Sequence, residues 1–95
     1  MRLLREDRRL VLLLLLDKAP GSESNHYLLR EALGVKGHNT SHDIVAAELV
    51  WLEEQGLVTL EKLENMYIAT LTARGHDAAN GRCAIPGVKK PIPGE

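Results

Sequence analysis

The sequence predicts a mainly α fold with a small β-hairpin: three helices, a two-stranded hairpin, a short fourth helix and an extended tail. Three observations predict it. His42–Val58, HDIVAAELVWLEEQGLV, reads as a core-packed helix that Gly56 stops with a left-handed residue, after which Leu57 and Val58 start a strand. Leu57–Thr72 then alternates as a hairpin, and the run Leu10–Leu16 is apolar on every side of a helix.

Each element follows from local chemistry. Arg2–Asp17 is the first helix, polar in its first half except for Leu3 and Leu4. A helix apolar all round must be covered all round. Burial of Leu10, Leu12, Leu13, Leu14 and Leu16 in a homodimer, with Leu3 and Leu4, is the expected solution; the alternative is a central helix wrapped by its own chain. Pro20 and Gly21 end this helix, and Ser22 can cap the second, with Glu23 in its first turn. Tyr27, Leu28, Ala32 and Leu33 give the second helix an apolar side, and Gly34 closes it. Val35–Asn39 is a turn, and Thr40 or Ser41 caps the third helix, with Asp43 as capping-box partner of Thr40.

Within the third helix Val45, Leu49 and Leu52 form one apolar stripe, flanked by Ile44, Glu48 and Trp51. Val58–Lys62 and Met66–Leu71 are the predicted strands, turning at Glu64-Asn65, where Asn tolerates positive φ. Thr72 caps a last helix, Ala73–Asn80, ended by Gly81. Residues 1–81 form the domain, and residues 82–95, with Pro86, Gly87, Pro91, Pro93 and Gly94 around Lys89-Lys90, form the tail.

Composition bounds the function. At 95 residues there is room for a single core. Net charge is −1, so no global basic field draws the protein to nucleic acid. The charge is uneven: residues 1–39 carry seven basic and five acidic groups, residues 40–68 one and six, residues 69–95 four and two. The acidic block coincides with the third helix and hairpin. The seven-residue run Leu10–Leu16 is too short to span a bilayer. Cys83 is the lone cysteine, which excludes an internal disulfide and fits a reducing cytoplasm. No nucleophile–base pair or glycine-rich phosphate loop suggests an enzyme, and no cofactor is implied. His38 and His42 with Asp43 or Cys83 are not read as a metal site, because His38 precedes the helix and no second cysteine exists.

The text Leu49, Leu52, Gly56, Leu57 and Val58 resembles the helix-to-wing junction of winged-helix regulators. Leu71-Thr72-Ala73-Arg74-Gly75 is similar to their step into the final helix. More narrowly, Asn25–Leu29, Trp51–Val58, Thr72–Gly81 and Pro86–Val88 resemble a family of small winged-helix proteins of Mu-like phages and prophages. The resemblance implies a winged helix-turn-helix in the cytoplasm of a bacterial host. The helix-hairpin junction and the polar residues His38–His42 make the expected function non-enzymatic binding of double-stranded DNA, by a regulator or accessory factor that dimerises partly through its leucine-rich first helix. In such folds the third helix enters the major groove. The candidate contacts are Lys36, His38, Asn39, Thr40, Ser41 and His42, with Lys62, Asn65, Arg74, Lys89 and Lys90 around them. The outward positions Ala46, Ala47, Glu48 and Val50 carry no base where regulators carry Arg, Ser or Lys. The alternative is therefore a docking module for a phage or host protein, presenting Ala46, Ala47, Val50 and Trp51.

Overall fold

The computed structural model describes residues 2–91. It is an α+β fold in the order α1 (Arg2–Lys18), a 3-10 turn (Pro20–Ser22), β1 (Glu23–Asn25), α2 (His26–Val35), α3 (His42–Glu54), β2 (Val58–Leu63), β3 (Met66–Leu71) and α4 (Ala73–Ala79). The strands form one antiparallel sheet in the order β1–β3–β2. The sheet thus has three strands where two were expected.

The additional strand explains the misplaced start of the second helix. Ser22 and Glu23 do not cap and open it. Ser22 sits at φ 54, and Glu23, Ser24 and Asn25 pair with Thr70, Ala69 and Ile68 of β3. Glu-Ser-Asn has little strand propensity, and the β3 ladder supplies what the residues lack. Asn25 is the cap of α2, its Oδ1 accepting from the Leu28 N–H at 2.9 Å. Helix α2 continues through Gly34 to Val35, and its buried side is His26, Leu29 and Leu33. Tyr27 and Leu28, expected in the core, are exposed.

Elsewhere local chemistry sets the boundaries. Ser41, not Thr40, caps α3 by accepting from the Ile44 N–H, so Asp43 has no capping-box partner. Gly56 follows α3 at φ 76, as a left-handed stop requires. The hairpin turns at Glu64-Asn65, but the positive φ falls on Glu64, at 54°, rather than on Asn65. Thr72 caps α4 by accepting from the Gly75 N–H while donating to the Gly56 carbonyl. Gly75 lies against the Leu57 carbonyl, with Leu71 Cδ1 2.6 Å from where a β-carbon would stand, so only glycine lets α4 close on β2.

The core is aliphatic. Leu12, Leu13 and Leu16 of α1 meet Leu29 and Leu33 of α2, Val45, Leu49 and Leu52 of α3, and Leu57, Val58 and Ala69 near the sheet. Of the two ways to cover the leucine run, wrapping by its own chain holds for Leu10, Leu12, Leu13 and Leu16, all buried without a second copy. Leu14 is half-buried, and Leu3 and Leu4 are exposed. No helix among the described residues is long and apolar enough to cross a membrane.

The segment after α4 is irregular, yet it is anchored. Ile85 joins the core, and the Lys89 N–H donates to the Glu6 carbonyl at 3.1 Å. The last four tail positions, 92–95, lie outside the described residues. The anchor's centre is Glu48. It does not point outward: it is 5% exposed and accepts from Arg8 Nε and Arg9 Nε, each at 2.9 Å. Arg9 also donates to the Gly87 carbonyl and stacks 3.8 Å from the Trp51 ring centre.

Replacing Glu48 with Ala strands two guanidinium groups, so Glu48→Ala is expected to cost about 3–5 kcal/mol in urea unfolding. Arg8→Ala leaves Arg9 on the carboxylate and is expected to cost about 1–2 kcal/mol. Equal, small losses for both would show that the carboxylate does not hold α1 to α3.

Candidate functional site

The residues singled out in the sequence divide between two places. His42, Lys62 and Asn65 come together in a cleft of about 300 Å³ between the start of α2, the start of α3 and the hairpin. Lys36, Lys89 and Lys90 come together instead along α1, in a groove of about 710 Å³. The remaining candidates play structural parts. His38 is buried, with Nε2 2.7 Å from Asp7 Oδ2. Ser41 caps α3, and the Thr40 carbonyl accepts from Arg30 Nε at 2.8 Å. Asn39 is exposed beside them. Arg74 donates to the Gln55 carbonyl, tying α4 to the end of α3.

The cleft also contains Ala46, read in the sequence as part of a docking patch, and residues that sequence reasoning did not assign to a site: His26, Tyr27, Asp43 and Tyr67. Tyr27 stands 4.2 Å from the His26 ring centre and 4.6 Å from that of His42, and Tyr67 approaches His26 at 6.0 Å. Lys62 Nζ lies 5.5 Å from the Tyr67 ring centre. His26 is held in place because its Nδ1 accepts the Tyr67 N–H at 2.9 Å, prolonging the β1–β3 ladder with a side chain. That acceptor role leaves the imidazole neutral, with its proton on Nε2. Burial, and then the neighbouring His42, push its pKa below the ordinary 6.5. Arg30 Nη1 reaches to 3.5 Å from His42 Nε2.

The groove has a different character. Its floor is the half-buried Val11, Leu14 and Leu15, and its rim carries Lys18, Lys36 and Lys90. Its two carboxylates are engaged within the chain. Burial pushes the Asp7 carboxyl up, but hydrogen bonds from His38 and Lys89 and their charges carry it below the usual 3.8. Asp17 is lowered chiefly by His76, whose Nδ1 is 2.6 Å away, with Asn80 adding a second bond. Among the described residues no group of three His, Cys, Asp or Glu is arranged to hold a metal ion.

These shifts set a pH dependence. A folded imidazole with a lowered pKa binds its proton better once unfolded, so stability falls as pH drops below 6.5 and levels off under the folded value. The lowered Asp7 and Asp17 contribute stability above 3.8, which is lost as pH falls through their folded values. The urea midpoint is therefore expected to fall in two stages on acidification. His26→Gln, which keeps an acceptor for Tyr67, removes the first stage; a first stage unchanged in that variant would assign it to another group.

Comparison with known proteins adds the family. The chain is 47% identical over 91 residues to the uncharacterized protein gp26 of Escherichia phage Mu, covering 96% of this chain and 94% of that one. It is 38% identical over 92 residues to an uncharacterized protein of Haemophilus influenzae, covering 96% and 89% of the two chains. No protein-family model and no solved structure matches it. With the similarity running nearly end to end on both sides, the chain belongs to the Mu-like phage protein family of gp26.

Proposed function

We propose that the chain is a winged-helix protein that binds DNA without catalysis, as a regulator or accessory factor of a Mu-like phage or prophage. Element order supports the fold: α2 and α3 stand as the helix-turn-helix, β2 and β3 as the wing, and β1 closes the sheet against β3. The observation that carries the DNA reading is the convergence of the α3 N-terminus and the hairpin's Lys62 and Asn65 around one concave face. Helix N-termini and cations are the groups that meet phosphate. The buried carboxylate of Glu48 also removes one of the two acids counted against the first half of α3, leaving Asp43 there. The protein acts as a homodimer, placing two α3 helices at half-sites about one helical turn apart. With most of the leucine run already covered, its copies meet through Leu3, Leu4 and the half-buried Leu14.

The groove on α1 favours a second reading, docking of a phage or host protein. Phosphate gains nothing from a floor of Val11, Leu14 and Leu15, whereas an acidic segment with an apolar side satisfies both floor and lysine rim.

A mobility-shift titration tests the DNA reading. One cation per protomer at the face, Lys62, makes two in the dimer and implies roughly a twelvefold loss of affinity between about 50 and 200 mM salt. Lys62→Glu is expected to weaken binding about tenfold or more. Absence of salt-sensitive binding to any duplex at low ionic strength discards the regulator reading, and absence of binding to a single strand as well favours docking. Light scattering tests the dimer separately: the wild type is expected as a dimer at micromolar concentration and the Leu3→Lys/Leu4→Lys variant as a monomer. A monomeric wild type rejects the dimer.

A further inference from the structure

The chain contains two tyrosines, one tryptophan and no phenylalanine, and its core is closed by Leu, Val, Ile and Ala. Tyr67 packs partly against that core and Tyr27 is exposed, yet both stand in the α2–α3–hairpin cleft with His26 and His42. Tyr27 is 42% exposed. Its ring is braced edgewise by His42, 4.6 Å away at 62°, and backed by His26, which is itself fixed by Tyr67. Such bracing orients a ring whose free side faces the cleft. The cleft, at about 300 Å³, is at the small end of ligand pockets and suits one planar ring system rather than a helix or strand. Lys62 Nζ lies over the Tyr67 ring, and Asn65 and Asp43 offer an amide and a carboxylate to a base's polar edge.

An aromatic face next to a cation is the arrangement on which single-stranded nucleic acid stacks its bases while a phosphate is neutralised. A paired base inside a duplex has both faces covered by its neighbours and cannot enter. We propose that the cleft is a stacking site for one unpaired base of a single DNA strand, with Tyr27 supplying the ring face and Lys62 the phosphate contact. The proposal rests on the reading that this face meets DNA and adds which form of DNA it selects. Its basis is independent of the hairpin's net charge, because stacking does not require a basic surface.

The test uses the full chain with three probes: a short single strand carrying a central 2-aminopurine, the same strand annealed to its complement, and 2-aminopurine deoxyriboside monophosphate. The single strand is expected to bind about tenfold or more tightly than the duplex at equal salt, with its fluorescence quenched on binding. Tyr27→Ala is expected to weaken the strand about five- to thirtyfold and remove the quench, the usual consequence of losing one stacked base. Tyr27→Phe keeps both. Tyr27 is exposed, so the Ala variant keeps the fold, which far-ultraviolet circular dichroism verifies. The proposal is overturned if the strand binds no better than the duplex, if Tyr27→Ala changes neither readout, or if the monophosphate binds as tightly as the strand. Duplex binding without strand preference leaves the DNA reading standing; binding to neither form removes both.

Discussion

The Glu48 carboxylate is the constraint around which this chain is organised. It lies 40 and 39 residues from Arg8 and Arg9 in sequence, and it holds both. A carboxylate this deeply buried is unfavourable unless its charge and lone pairs are met, and the two guanidinium groups meet them. Because Arg9 also donates to the Gly87 carbonyl and lies over Trp51, one cluster fixes α1 against α3 and draws the chain's last stretch over both. Gly87, at φ 96, passes so near Trp51 that a β-carbon would stand 2.7 Å from Cζ2. Lys89 can then reach Asp7, and the lysine rim of the groove beside α1 is assembled from residues far apart in sequence.

With α1 locked in place, aliphatic side chains suffice for the interior. Leu12, Leu13 and Leu16 supply the centre of a core whose fully buried members are aliphatic, with Trp51 and Tyr67 packed against its outside. The exposed edge of β2 is partly covered by Glu53, whose Oε2 accepts the Leu60 N–H at 3.3 Å. Acids that look in the sequence like a solvated helix face thus have individual tasks: Glu48 in the interior, Glu53 at the sheet edge.

What was legible in the sequence is what local chemistry decides. Gly56 after α3, Thr72 before α4 and the alternation through β2 and β3 depend on backbone conformation and on caps a few residues away, and each was found where expected. What was not legible depends on distant partners. Strand β1 exists because β3 is present beside three polar residues. Glu48 points inward because Arg8 and Arg9 lie across from it, although its helical spacing alone allowed either direction. The side of α2 was misread for a related reason. His26 resembles a polar start to the helix but is buried by its bond to Tyr67, which rotates Tyr27 to the surface. The cleft was half visible, since His42, Lys62 and Asn65 were singled out by charge and position. Its rings were not, because Tyr27 fits the apolar side of the second helix by spacing, and nothing local places it beside Tyr67 of the distant hairpin.

The charge arithmetic then bears on how such a protein can hold DNA. Affinity through counterion release grows with the number of phosphates neutralised, and this face has Lys62 beside Asp43. Turning Glu48 inward lessens the repulsion but does not make the surface basic. The winged helix proposed above, with so little positive charge, has to draw on an interaction that acidic neighbours do not weaken. Ring stacking is of that kind, since it acts at contact and depends little on salt. On the proposed reading, both tyrosines at the place where α2, α3 and the hairpin converge supply a chain of net charge −1 with a contact to DNA that its lysines alone do not.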